Sequence, residues 1–170
     1  AALLSVLKPK AQVVFVSADC EIEESRTLAV DLSKGERAIK GLDVGSAFGL
    51  LVLGMKSIDH PIYCALQKWA TQLNLTDSGK GCRDAVVLAQ LVKAWRSLGM
   101  GDKGCFKRAK ELIEGKIKSE RSDIKQKELA KEVQINNGVA IISDRTKIRA
   151  GHIFKRGAKV LIRESEVGHS

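Results

Sequence analysis

Aromatic residues are scarce in this chain, at 4%. Any core must therefore be aliphatic, and few rings are left on which nucleotide bases can stack. No two cysteines stand in a Cys-x-x-Cys spacing. Cys20, Cys64, Cys82 and Cys105 are far apart, and His60, His152 and His169 have no ligand-spaced neighbour, so no metal site is expected. No apolar run is long enough to span a bilayer: AALLSVLK stops at Lys8-Pro9, and the most apolar stretch, 44–55, is too short. That opening is also too short for a signal-peptide core. With unpaired cysteines, it points to a reducing compartment, cytoplasmic or nuclear.

Catalytic signatures are missing as well. There is no nucleophile elbow, and Cys82 and Cys105 have no histidine base assigned to them by the sequence. The segment SGKGCRD offers glycines, Lys80 and Arg83 at an expected helix start, where free N–H groups attract anions. A P-loop needs a glycine where Asn74 stands and a hydroxyl where Gly81 stands, so the nucleotide fingerprint fails. The acidic run Glu21, Glu23 and Glu24 reads as a solvated loop. No strong enzyme signal, cofactor or metal site is read from the sequence; the enzymatic alternative is one acting on an anionic substrate, with Gly79–Gly81 as its phosphate site.

What the chain does have is positive charge, and it is lopsided. Of the net +9, residues 1–78 contribute 8 Lys+Arg against 9 Asp+Glu, and residues 79–170 contribute 21 against 11. Such asymmetry between halves is a cue for a polyanionic partner. Within the basic half, 79–118 carries 10 against 4 and 136–170 carries 7 against 3.

The periodicities suggest an α+β fold in one domain, 1–170: a β-rich start (1–43), a helical centre (44–135) and a basic β region (136–170). At the start, 12–18 and 26–32 read as a β-hairpin, the second strand alternating Leu28, Val30 and Leu32 with Thr27, Ala29 and Asp31. A central segment of four to five helices follows. Residues 44–55 read as a buried helix, with a strand as the alternative. The helix after Asp59-His60-Pro61 repeats Ile62, Leu66, Trp69 and Leu73. Residues 79–98 form a helix with a broad apolar arc (Ala85, Val87, Leu88, Leu91, Val92, Trp95, Leu98) that should sink into the core. After the turn Gly99–Gly104, a second helix carries a narrow stripe of Phe106, Ala109, Ile113 and Ile117 and is otherwise crowded with lysine and arginine. A separate helix, capped by Ser122-Asp123, covers 123–133. Three short strands, 138–143, 147–154 and 158–163, close the chain as a β-meander, with Gly157 in the last turn.

This distribution implies a non-enzymatic RNA- or DNA-binding protein, RNA favoured, that grips the phosphate backbone; a viral coat or other packaging protein is one such type. The expected contacts are Lys80, Arg83, Lys93, Arg96, Lys107, Arg108, Lys110, Arg145, Lys147, Arg149, Lys155, Arg156 and Lys159. The basic hairpin 147–163 would show Lys147, Arg149 and Gly151 on one side and Ile148, Ala150 and His152 on the other. Two alternatives use other features. Helices 44–73 provide an apolar interface for an assembly module or homo-oligomer. A winged helix-turn-helix within 123–163 would place Gln126, Leu129, Ala130, Val133 and Ile135 at its first helix and turn.

Overall fold

The structure is a computed structural model that describes residues 1–16, 30, 39, 46–77, 87–143 and 145–165. It is α+β, mostly helical, with a small three-stranded sheet. The chain divides into two compact units, 1–118 and 119–170, and the division falls inside one helix.

The first unit holds α1 (Ala2–Leu7), α2 (Ala47–Ile58), α3 (His60–Asp77), α4 (Val87–Ser97) and the start of α5 (Asp102–Glu132). Asp59 alone links α2 to α3. Its N–H donates to the Met55 carbonyl at 2.9 Å, closing α2, and its carboxylate accepts from the Ile62 N–H at 3.2 Å, opening α3. At the other end, Ser46 caps α2 by accepting from the Gly49 N–H at 2.9 Å and donates its hydroxyl to Asn74 of α3. At Gly49 there is no room for a side chain: a Cβ there would run into the Asn74 amide of α3. The core gathers Leu3, Val52, Ile62, Ala65, Leu66, Ala70, Ile113 and Ile117, all aliphatic.

The α4–α5 turn is as the glycines suggest. Gly99 has φ 80°, its N–H donates to the Arg96 carbonyl at 2.9 Å, and the Met100 N–H donates to the Trp95 carbonyl at 3.0 Å. These two bonds are those of a Schellman ending. The roles of the two helices, however, are corrected. No described residue of α4 is fully buried: Leu88, Leu91, Val92 and Trp95 are half-buried. The anchor is α5, whose narrow stripe of Cys105, Ala109, Ile113 and Ile117 is buried. A wide apolar arc says how much surface a helix offers, but not how much its neighbours cover.

Helix α5 also overrides the expected break near residue 119. Ser122 does not cap a new helix; its hydroxyl accepts from Gln126 Nε2 at 3.3 Å along the same helix, and Lys127 bridges Asp123 at 2.8 Å one turn on. With no glycine or proline between Lys116 and Val133, nothing interrupts the ladder.

The second unit contains the end of α5, then β1 (Ile135–Asn136), β2 (Val139–Ser143), α6 (Ala150–Phe154) and β3 (Val160–Glu164), in sheet order β1-β2-β3. β1 and β2 are antiparallel around a two-residue loop, Asn137 (φ 51°) and Gly138 (φ 78°), a type I′ signature. β2 and β3 are parallel, pairing Val139 with Val160 and Ile141 with Ile162. The expected strand 147–154 is instead helical from Ala150, and so the meander is replaced by a helix-bearing crossover. Ala130, Ala140, Ile148, Ile153 and Ala158 form this unit's core.

Of the expected N-terminal hairpin, residues 12–16 form no strand, and Phe15 packs edge-on against Phe106 at 5.7 Å. Val30 makes an isolated parallel bridge with Ile39, and the rest of that hairpin lies outside the described residues.

Candidate nucleic-acid interface

Lys80 and Arg83 lie outside the described residues. In the first unit, Lys93 and Arg96 are exposed on α4, and Arg96 is bonded to Asp102 at 2.8 Å across the turn. On α5, Lys107 is exposed with no ion pair among the described residues, Arg108 reaches Glu111 at 3.4 Å, and the partly buried Lys110 reaches Glu114 at 3.8 Å. At about 100° per residue, Lys103, Lys107, Lys110 and Lys118 share one sector of α5, roughly 120° round from the buried stripe. Only Glu114 interrupts the row. Lys103 and Lys118 were not among the expected contacts. The i, i+4, i+7, i+15 spacing of these lysines was the signal that would have found them.

The second unit reassigns several expected contacts. The basic hairpin 147–163 does not form, because α6 occupies its first strand, and so the alternation of Lys147 and Arg149 with Ile148 and Ala150 no longer sets faces. Arg149 donates through its backbone N–H to Gln126 Oε1 at 3.0 Å and through its guanidinium to Asp123 at 3.3 Å. The Arg156 guanidinium donates to the carbonyls of Ala130 and, at 2.7 Å, Val133, satisfying the end of α5. Arg163 bonds the carbonyls of Thr146 (3.3 Å) and Ile148 (2.6 Å). Arg145 is exposed and has a partner. Lys147, Lys155 and Lys159 remain exposed without an ion pair among the described residues.

Asp123 is the hub of this unit. Its carboxylate takes Lys127, Arg149 and His152, the last at 2.9 Å. The hydrogen bond from Lys127 holds the Asp123 carboxyl below its usual range; partial burial opposes this and His152 adds to it. The histidines thus have neighbours that their spacing did not announce: His152 meets Asp123, and His60 Nε2 lies 3.2 Å from Cys64 Sγ one turn along α3. Cys105 is buried, with its thiol 3.6 Å from the Met100 carbonyl. Among the described residues no group of three or more His, Cys, Asp or Glu is placed to hold a metal ion.

The helix-turn-helix arrangement has no second helix where one is required. After Val133 the chain enters β1, the Asn137-Gly138 turn and β2, which holds Ile141 and Ile142. No described helix is long and apolar enough to cross a membrane. Comparison of the chain with protein-family models, with curated proteins and with solved structures finds no match.

Proposed function

We propose that this protein binds nucleic acid through the phosphate backbone and carries out no catalysis. The observation that supports this best is the lysine row of α5. Lys103, Lys107 and Lys118 are exposed without an ion pair among the described residues, on a helix whose other side is fixed in the core by Ala109, Ile113 and Ile117. A rigidly anchored row of ammonium groups neutralises phosphates and releases their counterions, so binding falls as salt rises. Lys147, Lys155 and Lys159 supply a second set in residues 119–170. The test is a filter-binding titration of the intact chain with mixed-sequence RNA and DNA at several salt concentrations. Salt-dependent binding that weakens in K103A/K107A/K118A supports the reading, and no binding at low salt ends it.

A second reading, self-assembly through α2, draws on Leu50 and Leu53, which are 39% and 49% exposed on that helix. Sedimentation of the wild type beside L50S/L53S tests it: a wild-type oligomer lost in the variant favours it.

A further inference from the structure

Every arginine among the described residues is engaged within the fold. Arg96, Arg108 and Arg149 pair with Asp102, Glu111 and Asp123, Arg156 and Arg163 bond backbone carbonyls, and Arg121 and Arg145 also have partners. The exposed cations of the α5 row that lack an ion pair among the described residues are all lysine: Lys103, Lys107 and Lys118. Lysine is divided: Lys110, Lys127 and Lys131 pair with Glu114, Asp123 and Glu128, while the outward-facing cations of the α5 row are lysines and none is an arginine.

From this partition we infer that the α5 row docks on the backbone of double-stranded nucleic acid without reading its sequence. The inference rests on the nucleic-acid reading above and narrows it. Base edges in a duplex are read most often by the forked guanidinium of arginine, which matches guanine with two parallel hydrogen bonds. An ammonium is a rotating point charge that suits phosphate and does not discriminate among bases so well.

The row also lacks what a single strand needs. Proteins that hold single strands combine positive charge with aromatic rings on which unpaired bases stack. The one aromatic residue of α5 is Phe106. It is half-buried and turned to Phe15, with ring planes at 81° and centroids 5.7 Å apart. No ring of α5 itself therefore lies in the sector of Lys103, Lys107, Lys110 and Lys118.

Geometry points the same way. Lys103 and Lys118 are about 22 Å apart along the axis at 1.5 Å per residue. A straight, stiff row of charges matches a duplex, which stays straight over about 150 base pairs and carries one phosphate per roughly 1.7 Å of axis. A flexible single strand would have to be straightened to follow it, at an entropic cost that stacking would normally offset.

The experiment uses the intact chain and equal-length probes: two DNA duplexes of unrelated sequence, an RNA duplex of one of those sequences, and single-stranded oligo-dT. Variants K103Q/K107Q/K118Q and K103R/K107R/K118R are compared after circular dichroism shows both folded. Affinities for the two DNA duplexes should agree within about twofold, with oligo-dT at least tenfold weaker. The glutamine variant should lower the slope of log affinity against log salt by about 0.9 per lysine, and the arginine variant should restore it. Tight binding of the DNA or the RNA duplex supports the inference, and the tighter of the two names the source. No binding to any probe sinks the nucleic-acid reading itself. Binding that prefers one DNA sequence tenfold, or that takes oligo-dT as tightly as duplex, overturns the inference and leaves that reading standing. An unchanged slope in the glutamine variant removes α5 as the surface.

Discussion

Asp123 on α5 and His152 on α6, 29 residues apart in the chain, meet at 2.9 Å, and Lys127 and Arg149 bond the same carboxylate. Because Lys127, aided by His152, depresses the Asp123 carboxyl, its contribution to stability is present above the unfolded value of 3.8 and is lost as pH falls through the lower folded value. Asp123→Asn should cost the second unit about 1 kcal/mol near pH 5. Denaturation of wild type and variant between about pH 5 and pH 2.5 should show the gap closing with acid. A gap that stays constant over that range would mean the carboxylate's charge is not what holds α6.

Arg156 is reassigned from phosphate contact to helix cap. Its guanidinium serves the carbonyls of Ala130, which is 1% exposed, and Val133. Arg156→Ala should therefore destabilise the protein by about 1 kcal/mol, since it takes this donor from the Val133 carbonyl, whereas the Ala130 carbonyl still accepts from the Val133 N–H at 3.3 Å. The salt slope of nucleic-acid binding, measured where the variant is still folded, should not move. A lowered slope with unchanged stability would return Arg156 to the binding surface.

Where the sequence was legible, the signal was local and repeated. α3 is read from Pro61 in its first turn and from Ile62, Leu66 and Trp69 at helical spacing, and Gly99 marks the end of α4. What failed depended on distance or on short length. Residues 150–154 hold barely one helical turn, so Ile148, Ala150 and His152 mimicked a strand. The parallel pairing of β2 with β3 is a non-local choice that no pattern within either strand specifies. Asn137-Gly138, by contrast, is a local hairpin signal, and it lies at the β1–β2 turn. Among the candidate contacts, the residue type was visible but its commitments were not. Arg149 and Arg156 find their partners 23 to 26 residues away, and so their occupation by the fold appears only in three dimensions.

Gly49 and Asn74 should be energetically coupled. Alanine at 49 places a Cβ where Asn74 Oδ1 and Nδ2 now lie, 2.1 and 2.6 Å from the new atom, so Asn74 must swing away from Ser46. Against this, alanine gains about 1 kcal/mol of helix propensity over glycine. In wild type the two effects oppose, and Gly49→Ala should be neutral or destabilising. In an Asn74→Ala background the obstacle is gone, and the same change should stabilise by up to about 1 kcal/mol. A double-mutant cycle by urea denaturation measures the difference. Additive effects would show that α2 and α3 are not in close approach at this point.

The β1–β2 loop gives the sharpest backbone test. Asn137 and Gly138 both have positive φ, 51° and 78°, and Lys159 Cγ is 3.5 Å from where a Cβ on Gly138 would be, an ordinary contact. Space is therefore not limiting at 138, and only the conformation penalises a side chain. Gly138→Ala should cost about 1–2 kcal/mol, the penalty for an L-residue in the left-handed region. Asn137→Gly should be close to neutral, because glycine adopts that region freely. The carbonyl of Gly138 also accepts from the N–H groups of Lys159 (2.6 Å) and Val160 (3.0 Å), which ties the loop to the start of β3. Distortion at 138 should therefore loosen β3 as well, visible as faster amide exchange at Val160 and Ile162 than at Ile113 in the other unit. If Gly138→Ala unfolds no more easily than wild type and exchange at β3 is unchanged, the loop does not hold the sheet in the way its dihedral angles require.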